Sequence, residues 1–166
     1  MKILLLIPVF LFLATPAWAV EVGERFQARV VEVKDGDTIV VVRGNDTLDL
    51  ITIRLYGIDA PEDGQPYGKQ AARALRKMVG KKVVEVEVMQ KRDRYKRVVG
   101  VVRHKGEDVG RKLLADGWAW VDYRHCKPSR LCRGYWVEVR RAQQKGSEGL
   151  WKSALSVPPW EWRRVK

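Results

Sequence analysis

The stretch "KKVVEVEVMQ" sets Val84, Val86 and Val88 against Glu85 and Glu87 in strict alternation, and it constrains the fold more than any other segment. A period of two sends successive side chains to opposite faces, so this is a strand with one apolar and one wet face. Four more segments carry strand signals: "FQARVVEV" (Phe26 to Val33), "TIVVVR" from Thr38, "TLDLITIRLYGI" and "RVVGVVR". The turn "KDGD" ends the first and the hairpin signal "GND" ends the second, which makes the first three an antiparallel meander. In the third, Leu48, Leu50, Ile53 and Leu55 are expected to point inward across an irregularity at Ile51-Thr52. The basic connection "KRDRYK" joins the last two strands.

Helical spacing enters between strands three and four. In "GKQAARALRKMVG", Ala71, Ala74, Leu75 and Met78 share one face and Gly80 is the stop. A short helix "VGRKLLADG" ends at Gly117, and Tyr135 to Lys145, extended to Trp151, reads as the last helix. Five strands with a helix after the third predict an α+β, mainly β fold. Its core is a five-stranded, partly open antiparallel OB-type barrel with about three helices. No repeat or linker divides the chain, so residues 20–166 are expected to form one domain. Its core covers about 26–151, and a Trp- and Pro-rich tail covers 152–166. Pro158-Pro159 should end the last helix and let the tail fold back, with Trp151, Trp160 and Trp162 docking on the core.

The N-terminus reads as a secretory signal peptide over residues 1–19. It has Lys2, an apolar run from Ile3 to Leu13, and the small-x-small site Ala17-Trp18-Ala19. The run falls short of the ~20 residues that span a bilayer, so an exported protein, periplasmic or secreted, is expected. The whole chain has a formal net charge of +12, near +11 once Lys2 is set aside. A surface this basic suits an anionic partner: nucleic acid, acidic polysaccharide or membrane. No stretch after residue 19 has the wide apolar face of a membrane-lying helix. Cys126 and Cys132 bracket "KPSRL". In an exported chain a small disulfide is favoured; free thiols, or a zinc site recruiting His104 or His125, are the alternatives.

Carboxylates cluster in "YGIDAPEDGQPYG", which carries Asp59, Glu62 and Asp63. The first hairpin adds Asp35 and Asp37, and pairing of the second and third strands would bring Asp37 toward Asp59. Such a pair makes a hard, all-oxygen site suited to Ca²⁺ or Mg²⁺. Arg54 and Arg97 offer planar forks that clamp phosphate through paired N–H bonds. Arg54 is expected to face solvent, so that its exchange would hardly disturb the fold. Asp63 reads as solvated loop.

In order and spacing, "VKDGDTI", "IRLYGIDAPE" and "DRYKRVVGVV" resemble the three signature segments of the thermonuclease family, the staphylococcal-nuclease-like enzymes, over roughly Phe26 to Trp151. That resemblance implies an OB-fold nuclease acting on DNA and/or RNA as a monomer and leaving 3′-phosphate ends. It implies one Ca²⁺ held by Asp37, Asp59 and the main-chain carbonyl of Ala60. Glu62 falls at the family's general base, and Arg54 and Arg97 at its phosphate-binding arginines. Arg94 and Tyr95 match a Lys-Tyr pair that contacts a further phosphate, and Tyr123 a tyrosine beside the nucleotide. Two departures stand out: His125 replaces a second such tyrosine, and Lys96 replaces the Gly that usually precedes the arginine. The competing expectation is a non-catalytic OB module that binds single-stranded nucleic acid. It has no use for Glu62 aimed at a phosphate.

Overall fold

The computed structural model describes residues 20–44, 49–146, 149–152 and 156–165. The leader, the tip of the second turn and Leu48 lie outside the described residues. Strands β1 (Arg25–Val33), β2 (Thr38–Arg43) and β3 (Leu50–Leu55) form the expected meander, followed by the two-residue β4 (Ile58–Asp59). Helix α1 (Gly68–Val79) precedes β5 (Val83–Gln90) and β6 (Val98–His104), and β7 (Glu107–Asp108) leads into α2 (Val109–Ala115). Strand β8 (Trp120–Val121), α3 (Arg130–Lys145), a 3₁₀ turn (Gly149–Lys152) and α4 (Pro159–Trp162) complete the order.

The sheet runs β3-β2-β1-β5-β6-β7, and β3 returns to pair with β6. That last pairing closes a five-stranded barrel. It is parallel, Ile53 opposite Val98 and Leu55 opposite Gly100, whereas the other pairings of the five are antiparallel. The expected antiparallel barrel is therefore mixed at its seam, because α1 carries the chain across before β5 begins. Val84, Val86 and Val88 are fully buried or nearly so, with Ile39, Val41, Ile53 and Leu55 facing them across the barrel interior. Leu75 and Val79 of α1, and Leu113 and Leu114 of α2, cap that core.

Three expectations are corrected. Leu50 is 59% exposed while Ile51 is buried. The β2–β3 register runs without a break from Leu50 opposite Val42 to Arg54 opposite Thr38, so the inward phase is Ile51, Ile53, Leu55 and no irregularity exists. Helix α3 begins at Arg130, not Tyr135, because the Ser129 side chain caps it by accepting from the Cys132 amide at 3.2 Å. Pro159 opens a helix rather than only ending one: it stands at the first position of α4, behind Pro158. Helix α3 itself stops at Gly146, which takes the left-handed conformation.

Cys126 and Cys132 form a disulfide. It staples the loop after β8 to the first turn of α3. Among the described residues no helix is long and apolar enough to cross a membrane.

Candidate functional site

The β2–β3 register puts Thr38 opposite Arg54. Asp37 therefore immediately precedes β2 and lies beside the end of β3, whose last residue, Leu55, is four residues before Asp59 on β4. The turn before Asp37 fits because residue 36 is glycine: a Cβ there would lie 2.6 Å from the Ala60 Cβ and 2.7 Å from that of Ala71. This close approach presses the first hairpin against the loop that carries the acids. Gly68 does the same for Glu62, whose carbonyl oxygen would lie 2.1 Å from an added Cβ.

Asp37 and Asp59 are 4% and 0% exposed. Buried carboxylates need partners, and one guanidinium serves both. Arg54 Nη1 bonds Asp37 Oδ1, and Nη2 donates to Asp59 Oδ1 at 2.9 Å and to the Ile58 carbonyl at 3.2 Å. Asp37 also accepts from the Ala60 amide at 2.9 Å and the Thr38 hydroxyl at 3.0 Å. Arg54 is thus not the solvent-facing residue expected: its side chain is 17% exposed and it sits between two buried charges. Burial works against its charge, but Asp37 and Asp59 outweigh that and hold the guanidinium's pKa above its ordinary value.

Burial pushes the Asp59 carboxyl above its usual range, with Asp37 adding to the effect, although Arg54, Arg124 and Arg163 all contact it. Asp35 is pushed up to about 7 by burial and by neighbouring Asp37, whose amide donates to Asp35 Oδ1 at 2.9 Å. Among the described residues no group of three or more His, Cys, Asp or Glu side chains is arranged to hold a metal ion. The expected donors are two carboxylates and the Ala60 carbonyl. They are all oxygens, and the two carboxylates already bind guanidinium groups. That donor set fits Ca²⁺ or Mg²⁺.

Glu62 is half-buried and joins the cluster through a residue that the sequence reading did not single out. Arg163, from the C-terminal tail, donates through Nη2 to Asp59 Oδ2 at 2.6 Å and through Nη1 to Glu62 Oε1. Asp63 is exposed, as expected.

Arg97 reaches the same region, its Nη1 lying 3.5 Å from the Thr38 hydroxyl. Asp93, also not foreseen, orients it: Arg97 Nε donates to Asp93 Oδ2 at 2.8 Å, and Asp93 Oδ1 accepts the amides of Tyr95 and Arg97. Burial raises the Asp93 carboxyl, but the Arg97 bonds prevail and hold it below its ordinary value. The Tyr95 ring is 60% exposed, with the Arg94 and Arg97 guanidinium carbons 4.8 and 5.0 Å from its centroid. Lys96 adopts φ 62°, the left-handed conformation a glycine would favour, so the loop keeps its turn despite the replacement.

Tyr123 is 56% exposed and lies edge-on to Trp160 with centroids 5.5 Å apart. Trp160 therefore docks beside the site rather than in the core, whereas Trp151 packs edge-on against the buried Trp120. His125 is turned to Asp122 at 2.8 Å, which also binds Arg124. Burial opposes the Asp122 charge, but Arg124 and His125 hold its pKa below the ordinary value.

Comparison with known proteins yields a consistent set of likenesses. The model of the family described as staphylococcal nuclease homologue matches residues 52–153. That span holds Arg54, Asp59, Glu62 and Arg97, and Asp37 joins them across the β2–β3 pairing. A protein of Escherichia coli called an uncharacterized endonuclease is 39% identical over 161 residues, covering 96% of this chain and 97% of its own. A micrococcal nuclease of Shigella flexneri is 33% identical over 167 residues, covering 95% and 88%. A probable staphylococcal-like nuclease of Oryza sativa subsp. japonica is 42% identical over 114 residues, 69% of this chain and 33% of that one.

Proposed function

The chain belongs to the staphylococcal nuclease homologues and is a nuclease, and we propose that it hydrolyses DNA and/or RNA in a calcium-dependent reaction at the Asp37–Asp59–Glu62 cluster. One observation carries this reading: Arg54 bridges two buried carboxylates while Glu62 shares a guanidinium with one of them. A structural ion-pair network would not need a third, half-exposed carboxylate beside it.

Asp37, Asp59 and the Ala60 carbonyl would hold the ion. Bound calcium supplies a Lewis acid that polarises the phosphoryl oxygen. Glu62 holds the attacking water and takes its proton, typically worth 10²–10⁴-fold. The water oxygen forms a bond to phosphorus in line with the leaving 5′-oxygen, whose bond to phosphorus breaks; the 5′-oxygen takes a proton from solvent and leaves as a hydroxyl, and the 3′ end keeps the phosphate. The forks of Arg54 and Arg97 donate to the phosphoryl oxygens as charge gathers on them. Asp93 keeps the Arg97 fork aimed. Arg94, Tyr95 and Tyr123 would bind the flanking phosphate and nucleotide, the two tyrosines being exposed enough to meet a strand. The disulfide suits an oxidising compartment, in keeping with export by residues 1–19.

The test is digestion of end-labelled single- and double-stranded DNA and RNA with calcium, magnesium or chelator, followed by analysis of the new ends. Calcium-dependent cleavage to 3′-phosphates supports the reading. Binding without cleavage under every divalent ion would mean a non-catalytic module.

A further inference from the structure

The tail reaches the site by anchored steps. The buried Gln65 side chain accepts from the Glu62 amide at 3.0 Å and donates to the Val157 carbonyl at 2.6 Å, so one amide ties the tail to the loop of the base. Pro159 is buried and starts α4. Trp160 packs on Tyr123, with the Arg124 guanidinium carbon 5.8 Å from its ring centroid. Arg163 follows at the end of α4, and its guanidinium engages both oxygens of Asp59, at 2.6 and 3.4 Å, together with Glu62 Oε1. Its side chain is 36% exposed, against 1% for that of Asp59.

We propose that Arg163 is a cation-displaceable latch: in the resting chain its guanidinium occupies the Asp59 oxygens that a divalent ion would use and ties up Glu62, and loading of the site requires it to swing out. The proposal rests on the reading of Asp59 and Glu62 given above and adds the regulation of that site. Its physical basis is mutual exclusion. A guanidinium and a divalent cation repel at contact distance, and both draw on the Asp59 carboxylate oxygens. Glu62 bonded to Arg163 also has an oxygen engaged that would otherwise hold the attacking water. The anchors at Gln65, Pro159 and Trp160 do not involve the guanidinium, so opening needs only rotation of an accessible side chain. A site that is closed nine-tenths of the time binds its ion about tenfold more weakly than the open form. The latch thus sets the calcium concentration at which the enzyme switches on.

The test is calorimetric titration of calcium alone, without nucleic acid, into the full-length parent, Arg163→Ala, Arg163→Lys and Asp59→Ala, each checked by a thermal melt. Arg163→Ala should bind calcium about tenfold more tightly, and Arg163→Lys, which keeps charge but loses the fork, should fall between it and the parent. Equal or weaker binding by both Arg163 variants overturns the latch. If Asp59→Ala then abolishes uptake, the metal reading stands alone. No uptake by the parent or by either Arg163 variant overturns both. Should Arg163→Ala melt early, Arg163→Lys decides by itself.

Discussion

Removing the Arg54 fork should cost the fold more than a surface arginine ever would. Arg54→Met keeps length and volume but strands Asp37 and Asp59 in a site where they are 4% and 0% exposed. Breaking a buried pair by deleting one partner costs about 3–5 kcal/mol. The structure argues for the lower end. Asp59 retains Arg163 at 2.6 Å, and Asp37 retains the Ala60 amide and the Thr38 hydroxyl. About 3 kcal/mol at neutral pH is expected, which for a domain of this size is a fall of roughly 6–12 °C in Tm. Urea melts without divalent ions measure it. Calcium should restore part of the loss, since it supplies the missing positive charge. A double-mutant cycle with Asp37→Asn should show coupling, the double variant being more stable than the two single losses add up to. If Arg54→Met melts within about 1 kcal/mol of the parent and shows no coupling, the account of a charge-bridged site is wrong.

Asp93→Asn should lower kcat about tenfold with little change in Tm, because it loosens the Arg97 fork without touching the core; unchanged kcat would remove Asp93 from the site. Lys96→Gly should raise stability, by up to about 1 kcal/mol in a denaturant melt, since it relieves a side chain held at φ 62°. Asp122 has a folded-state pKa held down by Arg124 and His125 against the effect of burial. Its contribution is therefore present above the unfolded pKa and lost as pH falls through the folded one. Tm of the parent should drop below about pH 4, and Asp122→Asn should drop less across that window.

The barrel was legible because β5 alternates without exception and its neighbours are bounded by turn chemistry. Strand β3 was phased wrongly at one end because Leu48, Leu50 and Ile51 put apolar residues on both faces, and only its pairing with β2 settles which face is inward. The start of α3 was hidden by the cysteine loop, although Ser129 is a good N-cap in plain view. Asp37, Arg54, Asp59 and Arg97 stand out in the sequence as charged residues near strand ends and Glu62 as a loop acid, and the resemblance to the nuclease segments is what groups them. That Arg54 is buried was not legible, because a strand residue between inward neighbours normally faces out. Here the barrel rim and the Asp37 turn cover it. Arg163 and Gln65 had no local signal at all. Arg163 lies 104 positions from Asp59, and its role exists only once the tail folds back. The consecutive prolines marked that fold-back but not its destination.

The central claim is that Glu62 takes a proton from water at a cation-loaded Asp37–Asp59 site. Single-turnover cleavage of a labelled oligonucleotide by the parent and by Glu62→Gln, in calcium and in chelator, tests it most directly. Cleavage by the parent is expected only with calcium. The rate for Glu62→Gln should be lower by about 10²-fold or more, with oligonucleotide binding unchanged or tighter. Cleavage by Glu62→Gln at the parent's rate, or full parental activity in chelator, would contradict it.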